Sequence, residues 1–166
     1  MAPWKLPPRA KIFEAFTAVA DGRVRLAGPG SATVTSSGGD KTYDVGWSDD
    51  DRTVTANDNA SYWQGYLGYP IVAVLLARGV LHADDETVAA LVGVPWHDLN
   101  KQYKRDYGAA VAHVLAGLLP GGATPARIEA AAGDVLEQLA ALDLQRAGRR
   151  GRPPAAGAEA TPESRA

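Results

Sequence analysis

The residues able to do chemistry in this chain form a short inventory. Its three histidines, His82, His97 and His113, stand far apart, and none has a second histidine three or four positions away to make a ligand pair on a helix face. His82 with Asp84, Asp85 and Glu86 is the nearest approach to a hard-ligand cluster, and the same grouping suits a helix N-terminus whose acids complement the macrodipole. With no cysteine, thiolate nucleophiles, disulfides and Cys-ligated zinc are excluded. Ser61 follows Ala60 rather than sitting in a G-x-S-x-G elbow, and no nearby histidine would activate it. Gly28-Pro29-Gly30 and Gly38-Gly39 lack both the G-x-x-x-x-G-K-[ST] spacing and a following helix. The expectation is therefore no catalytic residue, no metal and no cofactor.

Binding residues are better represented. The stretch NDNASYWQGYLGYP, residues 57–70, offers Asn57, Asn59, Tyr62, Trp63, Gln64, Tyr66 and Tyr69. Ser61 and Gln64 have the spacing of a capping box, with Ser61 accepting from the backbone at Gln64 and Gln64 reaching back. The stretch then reads as a structural corner, as a polar and aromatic binding surface, or as an enzyme cleft lined by Asn59, Trp63, Gln64 and Tyr66. Near the C-terminus Arg146, Arg149, Arg150 and Arg152 cluster, and residues 150–153 spell R-G-R-P, the core of an AT-hook. Such an extended segment lays two arginines along the narrow minor groove of A/T-rich DNA. Lys101, Lys104 and Arg105, with Tyr103 and Tyr107 nearby, read either as a phosphate-contacting stripe or as a solvated helix face.

The elements that must position these residues follow from periodicity. Behind Pro7-Pro8, Ile12, Phe13, Phe16, Val19 and Ala20 fall on one helix face, which Gly22 ends. Short β-type runs at 23–26, 32–36, 42–47 and 52–56 are separated by glycine-rich or acidic turns, and Tyr43, Val45 and Trp47 alternate with polar neighbours. Pro70 opens a helix that is apolar on every side from 71 to 78, hence a buried centre. A short helix over 84–92 and a long one from Pro95 to Leu118 come next. In a last helix, capped by Thr124 with Pro125 at its first position, Ile128, Ala132, Val135, Leu139 and Leu142 form a stripe that packs internally or pairs with another chain. The fold class expected is α+β: a small antiparallel hairpin or meander on a buried helix, with an N-terminal helix and a C-terminal helical segment. The segments are residues 1–22, 23–82, 83–144 and a disordered tail, 145–166. The start has no secretory h-region, and the longest apolar run, residues 71–77, falls far short of the roughly 20 residues that span a bilayer, so a soluble cytoplasmic protein is expected.

Residues 41–79, through KTYDV, RTVTANDN and LGYPIVAVLLARG, resemble the SWIM zinc-finger module: two strands, a ligand pair, a variable loop, a second ligand pair and a buried helix. Aligned on that helix, the four ligand positions fall on Thr55, Asn57, Gly68 and Pro70, none of which can make a zinc-thiolate site. The resemblance implies a metal-free version whose loop is held by hydrogen bonds from Asn57, Asp58, Asn59, Ser61 and Gln64, with Tyr62, Trp63, Tyr66 and Tyr69 filling a small core. It also implies a non-enzymatic interaction role, with DNA or another protein as partner. The alternatives are a protein–protein adaptor that self-associates through the last helix and a small enzyme of unknown class.

Overall fold

The computed structural model describes residues 2–50, 52–147 and 151–155. The fold is α+β, a six-stranded sheet with helices on one face. Four strands make the expected meander: β2 (Val24–Gly28), β3 (Ser31–Thr35), β4 (Thr42–Ser48) and β5 (Thr53–Ala56), each antiparallel to the next. Ala32, Val34, Tyr43, Val45, Val54 and Ala56 are buried on the inner face, while their strand neighbours point to the other side.

Beneath the sheet lies α2 (Tyr69–Ala77), with Ile71, Val72, Ala73 and Val74 essentially inaccessible to solvent, as an all-apolar helix requires. Against α2 packs α1 (Arg9–Ala20), preceded by β1 (Ala2–Pro3), and α1 is buried from Lys11 through Ala18. Helices α3 (Asp85–Ala89), α5 (Tyr107–Ala116) and α6 (Pro125–Leu142) surround α1. The expected N-terminal helix is thus in the middle of one shared core. The α6 stripe Ile128, Ala132, Val135 and Leu139 is buried in that core, so within this chain it packs internally.

Two expectations need correction. The long helix from Pro95 to Leu118 is two helices, α4 (Trp96–Gln102) and α5. Lys104 and Arg105 adopt left-handed φ values of 52° and 67°, and the Arg105 N–H turns back to the Asn100 carbonyl at 2.8 Å, which ends α4. Asp106 then caps α5 by accepting from the Ala109 N–H at 3.0 Å. Secondly, the expected disordered tail, 145–166, does not begin at residue 145. Gln145–Arg146 form β6, which runs parallel to β5 and antiparallel to β1, giving the order β1-β6-β5-β4-β3-β2. Trp4 secures this edge by donating from its Nε1 to the Val54 carbonyl at 3.0 Å. Among the described residues no helix is long and apolar enough to cross a membrane.

Candidate functional site

The corner between β5 and α2 is built outward from one buried carboxylate. Asp58 is 4% exposed; its Oδ1 accepts from the Ser61 hydroxyl at 2.6 Å and its Oδ2 from the Ser61 N–H at 3.1 Å. Ser61 Oγ in turn accepts from the Gly68 N–H at 3.2 Å, so three residues tie both ends of the loop together. The cap is therefore Asp58 and not the Ser61–Gln64 box, because residues 60–64 coil as a single π-helical turn, closed by Gly65 at φ 73°, that carries Gln64 to the surface. Asn57 joins the corner to the sheet, its Oδ1 accepting from the Asp44 N–H at 2.8 Å. Gly68 is required for a different reason. Its φ of −69° suits any residue, but a Cβ there would fall on the Asp58 carboxylate, 2.7 Å from Cγ.

The aromatic residues divide between inside and outside. Tyr69 packs edge-to-face against Tyr43 at 6.3 Å, and burial, with Tyr43 beside it, pushes its hydroxyl well above the usual phenol range. Tyr66 is half-buried, its pKa also raised by burial. Tyr62 is half-buried and stacks edge-on at 4.6 Å against Trp63. Trp63 itself is 70% exposed, as are its polar neighbours Asn59 and Gln64 to a large degree. The expectation that Trp63 fills a small core is thus overturned, because the π-turn rotates it outward while Leu67 and Gly68 face in.

Beneath the corner lies a group that sequence reasoning missed. Lys11 and Glu14, one turn apart on α1, form an ion pair at 2.9 Å with each residue more than nine-tenths buried. Lys11 Nζ sits 4.4 Å above the Tyr107 ring, and Asn100 Nδ2 donates to Glu14 Oε1 at 3.3 Å. Burial alone would lower the Lys11 pKa, but the Glu14 carboxylate beside it prevails and holds it above its ordinary value. Asp58 shows the opposite balance: burial raises its carboxyl, and the Ser61 bonds and Lys11 offset this only in part. The available signal was two charges, Lys11 and Glu14, in the otherwise largely apolar run KIFEAFTAVA, and α5 closes over them through Tyr107.

The C-terminal strap passes beside the corner. Arg146 lies 5.7 Å over the Trp4 ring, and its Nη1 is 3.3 Å from where a Cβ on Gly65 would be. Gly151 approaches Asn57 just as closely, and Arg152 is exposed. Arg149 and Arg150 lie outside the described residues. Lys101, Lys104 and Arg105 are exposed, but they occupy the end of α4 and the turn after it rather than one continuous helical stripe.

The remaining sequence candidates take structural roles. Asp84 caps α3, accepting from the Thr87 N–H at 2.9 Å and its hydroxyl at 2.7 Å, which holds its pKa low. Arg127 bridges Asp84 and Glu86 at 2.8 Å each beside an open groove of about 510 Å³ that His82 and Asp134 also line. Among the described residues no three potential ligands are grouped to hold a metal ion. Thr55 is a strand threonine, Asn57 a sheet-bonded amide, Gly68 a loop glycine and Pro70 a buried helix start.

No curated protein and no solved structure matches the chain. Residues 4–145 do match a protein family; the match starts just after β1, ends on the first residue of β6, and takes in the corner and helices α1 to α6. The chain belongs to the family described as Uncharacterised conserved protein UCP014422.

Proposed function

We propose that this chain is a non-enzymatic nucleic-acid-binding module on a metal-free, SWIM-like core, in which Trp63 offers its ring to an unpaired base and the strap arginines meet phosphates. Trp63 carries the reading. It is 70% exposed on a turn whose backbone is fixed from below by Asp58, Ser61 and Gly68. Stacking of one base on such a ring contributes about 1–3 kcal/mol, and a rigid turn loses little entropy in making it. The nearness of Arg146, and of Gly151 next to the exposed Arg152, supports a polyanionic partner. An A/T-rich minor groove is a less favoured target for the R-G-R-P run, since Gly151 packs on Asn57 and Pro153 is half-buried, leaving that run less free to lie along DNA. The enzyme reading loses support because Asn59, Trp63 and Gln64 are exposed and line neither of the two concavities described, around Arg127 and around Arg23. Self-association through α6 loses support because its apolar stripe is spent in the core.

The test is binding of labelled oligothymidylate and of an A/T-rich duplex to the full chain, to Trp63→Ala and to Arg149→Ala/Arg150→Ala/Arg152→Ala. Substitution is preferable to truncation at Leu144, which would remove β6 from the sheet. Trp63→Ala should weaken single-strand binding about tenfold. The triple variant should flatten the salt dependence by about two phosphate contacts. No binding at low salt, or wild-type affinity in Trp63→Ala, would overturn the reading. Trp63-dependent capture of a protein in place of an oligonucleotide would assign the same surface to an adaptor.

A further inference from the structure

The open face of the sheet carries a second feature. Arg25 on β2 pairs with Thr33 on β3, and Thr35 pairs with Thr42 on β4, so all four side chains project to the face opposite Ala32, Val34 and Tyr43. With Arg23 they line a concavity of about 420 Å³, within the range of about 300–1,000 Å³ typical of small-molecule sites. Arg23 is anchored: its Nη1 donates to the Thr35 carbonyl at 2.5 Å and its Nε to Asp21 at 3.3 Å. Among the described residues, the Arg25 guanidinium and the hydroxyls of Thr33, Thr35 and Thr42 have no hydrogen-bond or ion-pair partner.

The geometry points to a phosphate-binding site, in which Arg25 meets the phosphate oxygens and the threonine hydroxyls donate to them. A guanidinium presents paired donors to a phosphate, and hydroxyls can rotate to the tetrahedral oxygens that a planar carboxylate lacks. An arginine on an edge strand also discourages pairing with another sheet. That role needs neither a concave floor nor three free hydroxyls beside it. Asp21, which pairs with Arg23, and Asp44, opposite Thr33, are the nearby opposing charges, and Asn57 Nδ2 draws the Asp44 carboxylate at 3.4 Å.

The inference stands independently of the Trp63 reading. The test is a two-dimensional amide NMR titration of the full chain with inorganic phosphate, against chloride at equal ionic strength, repeated with oligothymidylate. Phosphate should move the signals of residues 23–25, 33–35 and 42, and Arg25→Ala should weaken it about tenfold. Thr33→Val/Thr35→Val, which keeps strand propensity, should weaken it severalfold. Shifts no larger than those from chloride, wild-type affinity in Arg25→Ala, or no effect of the threonine pair would overturn the site. If Arg25→Ala weakens both ligands, the phosphate belongs to a nucleic-acid backbone. If it weakens inorganic phosphate alone, the ligand is a free phosphate or a phosphorylated small molecule. Trp63→Ala should leave phosphate binding unchanged, which separates this site from the corner.

Discussion

Gly68→Ala is the sharpest probe of how the corner is held. Its backbone, at φ −69° and ψ 163°, accepts alanine without strain, so any cost must come from the space the new methyl needs. That space belongs to the Asp58 carboxylate, whose Cγ and Oδ1 would lie 2.7 and 2.8 Å from the methyl carbon. Asp58 cannot retreat while keeping both Ser61 bonds, at 2.6 and 3.1 Å. Hydrogen bonds to a charged group contribute about 1.5–3 kcal/mol each. Replacing glycine by alanine returns about 0.4–1 kcal/mol by restricting the unfolded chain. The expected net loss is about 2–5 kcal/mol, read from the midpoint of chemical denaturation at constant slope. The decisive comparison is a double-mutant cycle. In an Asp58→Ala background the methyl has room, so adding Gly68→Ala should cost about nothing or stabilise slightly. A loss below about 1 kcal/mol for the single variant, or additive losses in the cycle, would refute the argument that Gly68 exists to seat Asp58.

The ion pair under the corner and the titration of Asp58 give two further expectations. Lys11→Met strands the buried Glu14 carboxylate and should cost about 3–5 kcal/mol, while Lys11→Met/Glu14→Leu should recover most of that; equal losses in both variants would show that the pair is not electrostatically coupled. Asp58 has a folded pKa above its unfolded value, so its contribution is full below about pH 4 and is lost as pH rises through the folded pKa. Asp58→Asn removes that titration, and wild type should lose ground to the variant as pH rises above about 4; a gap that widens in favour of wild type would reverse the sign.

Much of the secondary structure was legible because it depends on local rules. The four strands of the meander, the all-apolar α2, the Thr124–Pro125 start of α6 and the stripe along it follow from alternation, periodicity and capping. The break between α4 and α5 was not legible: Lys104 and Arg105 carry no glycine or proline signal, and nothing local announces their left-handed turn. The two-residue strands β1 and β6 were equally invisible, since β1 exists only by pairing with β6, and β6 by pairing with β1 and β5.

At the corner the same division holds. Residue types alone established that no thiolate or zinc-thiolate chemistry was available and that residues 57–70 would be polar, aromatic and interrupted by glycine. Tertiary structure decided which groups face in. Asp58 and Ser61 close the loop, Trp63 is turned to solvent, and Lys11 and Glu14 are buried together by a helix nearly a hundred residues away in sequence. Periodicity reports a residue's neighbours along its own element. Burial of a charge depends on whether a distant element supplies its partner, and that is settled only when the chain has folded.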